Sequence, residues 1–152
     1  MARAPFQVLV FPYRQTTDGT FEYALLKRRD AGYWQPIAGG GEAHETILAA
    51  AQRETREETG IPSDSFFLRL DTMEFIPVIE FKDSHLWGDH VYVIPQYCFG
   101  VLVKDGALAL SHEHTDYKWL AYQPACRLLH YAGNRTALWE LDRKVRGLPP
   151  RD

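Results

Sequence analysis

The apolar positions fall into short runs separated by turn-forming residues. Phe6 to Tyr13 (FQVLVFPY) reads as a strand, and Thr16-Thr17-Asp18-Gly19 as a turn leading to a partner strand, Phe21 to Lys27. Arg28 to Gly32 is a polar loop. Tyr33 to Ala38 is a short strand-like piece broken at Pro36, followed by three glycines, Gly39, Gly40 and Gly41. Phe66 to Ile79 and His90 to Val103 read as longer strands around a loop at Lys82 to Asp89. Tyr117 to Ala121 reads as a further strand. A last helical region covers Pro124 to Tyr131 and Arg135 to Val145, with Gly133-Asn134 separating its halves. There is no strict βαβ alternation and no internal repeat, so the pattern predicts an α+β or mixed α/β fold.

One helix is bounded sharply. Thr46 to Thr59 holds neither Pro nor Gly, and Ile47, Leu48, Ala51 and Thr55 share a face by the 3.6 period. Thr46 suits the N-cap. Gly60 suits the left-handed position after the last turn, Ile61 the apolar position beyond it, and Pro62 bars continuation.

Composition narrows the class. A length of 152 residues predicts one domain over 1–152, large enough to fold without disulfides or a structural metal. The net charge is -3, which argues against binding a nucleic-acid polymer but allows a nucleotide whose phosphates a divalent cation screens. Cys98 and Cys126 form no C-x-x-C motif, so both are expected as free thiols. No signal-peptide core and no apolar stretch near 18 residues appears, so a soluble cytoplasmic protein without a membrane partner is expected. The oligomeric state is open.

Candidate chemistry centres on the end of the bounded helix. Glu54, Glu57 and Glu58 stand at i, i+3 and i+4 and share one face. Like charges there repel, and the helix C-terminus is already the negative pole. Taken alone, a solvated acidic face explains them. A bound hard cation relieves the same conflict, because carboxylate oxygens are preferred ligands of Mg²⁺ and Mn²⁺. The three glycines just before the helix allow close backbone approach to a ligand or metal, although glycines alone also make an ordinary turn.

Together these residues resemble the Nudix box, G-x5-E-x7-R-E-U-x-E-E-x-G-U with U a bulky aliphatic residue. Gly39, Glu45, Arg53, Glu54, Glu57, Glu58, Gly60 and Ile61 fall at its positions, and Thr55 departs from the first aliphatic one. The resemblance implies a mixed central sheet between helices, an α/β/α sandwich with a loop-helix-loop catalytic motif. It also implies hydrolysis of a nucleoside diphosphate linked to another group, with Mg²⁺ or Mn²⁺ as cofactor. Glu54 and Glu58 would be metal ligands, with Glu57 and Glu45 assisting and the Gly39 carbonyl as a further ligand. Arg53 would orient the glutamates.

The flanks are similar to bacterial dihydroneopterin triphosphate pyrophosphatases and dATP pyrophosphohydrolases. The likeness rests on Arg28-Arg29-Asp30, Tyr33-Trp34-Gln35, His112-Glu113-His114, Tyr117-Lys118-Trp119-Leu120 and Asn134-Arg135. By that likeness Glu113 adds a carboxylate to the metal site from a distant loop, Arg28 contacts phosphate, and Asn134 or Arg135 contacts substrate. Trp34 is a candidate for base stacking, and Ala38 holds a substrate-side position where those enzymes carry Thr. Each has a plainer reading: Trp34 as core, Arg28 as surface charge, Glu113 as solvated loop, Asn134 as helix cap.

His112, His114, His85 and His90 lack the spacing of a zinc hydrolase, and no H-E-x-x-H occurs. The expected partner is a small nucleotide or pterin triphosphate, cleaved to monophosphate plus pyrophosphate. Cleavage of dinucleoside polyphosphates is the alternative, and binding without catalysis is a third reading. Glu45, Glu57, Glu58 and Glu113 all remain candidates for the general base.

Overall fold

The computed structural model describes residues 2–104 and 106–152. Among the described residues, seven strands form one mixed sheet: β1 (Arg3–Gln15), β2 (Phe21–Arg28), β3 (Trp34–Gln35), β4 (Ile37–Glu42), β5 (Phe67–Pro77), β6 (Val93–Leu102) and β7 (His114–Leu120). Three helices cover it: α1 (Ile47–Thr59), α2 (Tyr122–Leu128) and α3 (Ala132–Val145). The fold is α+β, as the pattern of elements implies. No helix among the described residues is long and apolar enough to cross a membrane.

β1 is the axis of the sheet. It runs parallel to β6 along one side, from Gln7↔Gln96 to Tyr13↔Leu102. On its other side it pairs antiparallel with β4 up to Val10 and with β2 from Tyr13. Pro12, which has no N–H to donate, falls between these two pairings. Val8, Val10 and Phe11 are fully buried, because both sheet faces are covered. One face packs Leu9, Leu25 and Cys98 against Leu138 and Leu141 of α3. The other packs Val8, Val10, Ile37 and Phe99 against Ala50 and Ala51 of α1.

α1 has the expected ends. The Thr46 hydroxyl accepts from the Ala49 N–H at 3.0 Å, and Gly60 takes φ 76° with its N–H on the Arg56 carbonyl at 2.9 Å. Elsewhere the boundaries move. The three glycines are strand β4, not a loop, because their backbone pairs with β1 through Gly40↔Gln7 and Gly39↔Val8. The last helical region is split in two as expected, but the break falls at 129–131, and Gly133 and Asn134 lie in the first turn of α3. β7 begins at His114, three residues before the expected start at Tyr117.

The irregular part of β5 shows how α3 is seated. Its register with β6 shifts between Arg69 and Met73. The Glu140 carboxylate of α3 accepts there from the Asp71 N–H at 2.6 Å, the Thr72 N–H at 2.8 Å and the Thr72 hydroxyl at 2.6 Å. Lys144 completes the cluster at 2.7 Å from Glu140.

Thr55 fills a fully buried position on the core side of α1, and its hydroxyl has no hydrogen-bond partner. An unsatisfied buried hydroxyl costs about 1–3 kcal/mol. Thr55→Val keeps the shape and removes that cost. The melting temperature is expected to rise by about 2–4 °C per kcal/mol recovered; a fall would mean that the hydroxyl has a role the packing does not show.

Candidate active site

Arg53 organises the acidic end of α1. Its Nε donates to Glu45 Oε2 at 2.7 Å, and its Nη2 donates to Glu45 Oε1 at 3.0 Å and to the Gly40 carbonyl at 2.8 Å. Its Nη1 reaches Glu54 Oε1 at 3.0 Å and Glu57 Oε2 at 3.3 Å. The bidentate contact holds Glu45 below the usual carboxylate range and raises Arg53 in turn. Glu45 also accepts the Glu42 N–H at 2.9 Å, which closes the turn before α1.

Glycine is required at Gly39 for space rather than for φ. A Cβ there would overlap the Glu54 carboxylate, so helix and strand approach closely only because the side chain is absent. Glu54 is largely buried, and desolvation raises its carboxyl even though Arg53 is beside it.

Glu58 is the most perturbed acid of the group. It is 4 % exposed, and burial first, then the charges of Glu54 and Glu113, push it up to about 9. Its Oε2 has no hydrogen-bond partner among the described residues; His114 Nδ1 lies 4.0 Å away. His114 is itself buried, and both its ring nitrogens lack partners. Burial lowers its pKa, so the neutral ring is favoured and does not compensate Glu58.

Glu113 reaches Glu58 because its segment is tied on two sides. The Ser111 N–H donates to the Glu58 carbonyl at 3.2 Å and the Ala109 N–H to the Thr59 carbonyl at 2.9 Å, which satisfies the end of α1. From the β2 end, the Arg29 N–H donates to the Glu113 carbonyl at 2.9 Å and Arg29 Nε to the His112 carbonyl at 2.7 Å. The Glu113 carboxyl is thereby brought near enough to Glu58 for its charge to help raise the Glu58 carboxyl.

A cleft of about 1060 Å³ opens from this point. Glu58, Glu113, Arg28, Ala38 and Asn134 all border it. Arg28 is held at its edge by Asp30 at 2.8 Å and by the Tyr33 hydroxyl at 3.4 Å. Two expected substrate contacts lie elsewhere. The Trp34 ring packs on the core beneath Lys118, 4.8 Å from the ring centroid, while its neighbours Tyr33 and Gln35 line the cleft. Arg135 turns to the Leu129 carbonyl at 2.9 Å, where it ties the α2–α3 connection.

The acids are not gathered into one closed shell. Among the described residues, no three His, Cys, Asp or Glu side chains converge closely enough to hold a metal ion as placed. Glu57 in particular is half exposed and turned to Arg53. The donor chemistry nonetheless fits a hard divalent cation: desolvated carboxylates, an orphaned Glu58 oxygen, and too few cations for the acids present. Mg²⁺ is ordinarily held by one or two carboxylates, with water and substrate phosphate completing its shell.

The sequence did not single out Glu74, Gln96 or Gln7, which also line the cleft. They stand at ordinary alternating strand positions, and only the register of three strands brings them together.

Comparison with known proteins agrees with the geometry. The sequence model of the NUDIX domain matches residues 5–140. The dihydroneopterin triphosphate diphosphatase of Escherichia coli K12 is 33% identical over 147 residues, covering 90% of this chain and 91% of that protein. The mouse asymmetrical bis(5'-nucleosyl)-tetraphosphatase is 27% identical over 124 residues, covering 81% and 80%. A Listeria monocytogenes structure described as a NUDIX hydrolase superposes with a TM-score of 0.84 at 36% identity, covering 95% and 96% of the two chains. The chain therefore belongs to the Nudix hydrolase family.

Proposed function

We propose that this protein hydrolyses a nucleoside or pterin triphosphate to the monophosphate and pyrophosphate, using Mg²⁺ or Mn²⁺. The observation that carries the reading is the pairing of buried Glu58 with Glu113 at the end of a cleft, with one Glu58 oxygen unsatisfied. The naming of the E. coli relative for a triphosphate supports the substrate class. The naming of the mouse relative keeps dinucleoside polyphosphates as the second reading.

In this reading Glu54 and Glu58 are the principal ligands and Glu113 the ligand from across the cleft, with Glu57 and the Gly39 carbonyl at the margin. A bound divalent cation supplies charge neutralisation of the phosphates and activation of water. Arg53 keeps Glu54 and Glu57 oriented and Glu45 ionised. Arg28 offers its guanidinium to phosphate at the cleft edge. Glu113, paired with Glu58 and next to the cleft, is placed to accept the proton of the attacking water. Ala38 and Asn134 shape the wall that faces the substrate.

Glu58→Gln is expected to lower kcat by roughly 10²–10⁴-fold with the fold intact by circular dichroism. The assay is a panel of triphosphates, dihydroneopterin triphosphate and dinucleoside tetraphosphates, with pyrophosphate and monophosphate read separately. Wild-type rates in the variant would remove Glu58 from the site, and turnover of the tetraphosphates alone would select the second reading.

The raised Glu58 pKa also predicts a pH dependence. A carboxyl that binds its proton more tightly in the fold than in the unfolded chain adds stability at low pH. That contribution is lost as pH climbs from the unfolded value of about 4.3 toward the folded value of about 9. Metal-free wild-type protein should therefore lose melting temperature over this window more steeply than Glu58→Gln. Parallel curves for the two would contradict the electrostatic account.

A further inference from the structure

Glu74 stands apart from the acids of α1 but opens on the same cleft. Phe75, Ile76 and Pro77 continue its strand along the cleft wall, and Gln96, Gln7 and Asn134 line the same cleft. Among the described residues Glu74 forms no ion pair with Lys or Arg. Its Oε2 accepts from Gln96 Nε2 at 3.0 Å, which fixes the side chain in one orientation. Burial raises its carboxyl and the Gln96 bond opposes that rise.

The fold reserves space for this group. The first turn of α3 carries Gly133, where a Cβ would overlap the Glu74 carboxylate. Glycine is a poorer helix former than alanine. Here it lets the acid lie against the positive end of a 14-residue helix. Asn134, 4 % exposed, follows in the same turn and also faces the cleft.

Sheet register places Glu74 relative to the acidic helix. Glu74, Gln96, Gln7 and Gly40 are successive partners across β5, β6, β1 and β4. Three strand spacings separate Glu74 from Gly40, about 14 Å. Gly40 binds Arg53, and Gly39 beside it touches Glu54. Glu58, Glu113 and Glu74 line one cleft, so a ligand with its phosphates near the end of α1 can extend its heterocycle to Glu74.

We propose that Glu74, steadied by Gln96, is the specificity residue of the cleft and accepts the ring N–H and 2-amino group of a 2-amino-4-oxopyrimidine, the edge shared by guanine and pterin. An ionised carboxylate offers only acceptors. That edge offers two adjacent donors, whereas adenine sets a ring nitrogen acceptor beside its amino group and repels the acid. The inference rests on the triphosphate reading for the direction in which the substrate lies, and it adds which heterocycle the site selects.

Equilibrium binding tests it without catalysis. Calorimetry would compare GMP, dihydroneopterin monophosphate and AMP on the full-length wild-type protein with Mg²⁺. At least one of the first two is expected to bind about tenfold or more tighter than AMP, and their ratio identifies guanine or pterin as the source of the edge. Glu74→Gln should collapse that preference to near unity, and so should Gly133→Ala, which displaces the carboxylate from its seat. Equal wild-type affinity for all three compounds overturns the proposal, and so does an unchanged preference in a folded Glu74→Gln. Selective binding without triphosphate turnover would sink the catalytic reading and leave this one standing.

Discussion

Arg53 ties together the acids at and just before α1: it reaches Glu45, Glu54 and Glu57, and also the Gly40 carbonyl of the neighbouring strand. Its reach ends before Glu58. That acid is left buried with Glu113, beside a histidine whose burial favours the neutral ring. Folding has thus fixed a carboxylate pair at a charge deficit, and much of the surrounding architecture keeps the pair in place. Gly39 gives up its side chain to admit Glu54. Ser111 and Ala109 cap the end of α1, and Arg29 pulls the same segment from the other side. Such a deficit is costly in a protein without ligand, and in the proposed function a divalent cation offsets it.

The sheet gives this arrangement a second end. α1 covers one face through Val8, Val10 and Phe99, and α3 covers the other through Leu9 and Cys98. The cleft reaches from Glu58 to the row Glu74–Gln96–Gln7, where α3 begins. The two carboxylate groups differ in kind. Those of α1 crowd one another, whereas Glu74 stands alone against a helix N-terminus and holds a single amide partner. Crowding suits a metal, and isolation suits a pair of neutral N–H donors.

The parts of the site legible in the sequence were those carried by local spacing. Glu54, Glu57 and Glu58 share a helix face because of the 3.6 period, and Thr46 and Gly60 mark the helix ends by their own chemistry. The strand at the glycines was not legible, because nothing local distinguishes a glycine turn from a glycine strand whose neighbours need its empty Cβ positions. Gly133-Asn134 misled for the same reason: a helix start with room for Glu74 looks in sequence like a helix break. Trp34 could be read as stacking platform or core, and local sequence does not show that the ring is set half-buried against the core with Lys118 on it. Glu113 was reachable through family likeness alone, since its contact with Glu58 spans more than fifty residues of chain.

Glu58 is expected to hold a proton near neutral pH until a divalent cation replaces it, because burial and the charges of Glu54 and Glu113 push its carboxyl up to about 9. Calorimetric titration of Mn²⁺ at pH 7, repeated in buffers of different ionisation enthalpy, counts the protons released on binding. The wild-type protein is expected to release about one proton, and Glu58→Gln to lose that release. Mn²⁺ binding with no proton release, or with the same release in both proteins, would contradict this expectation.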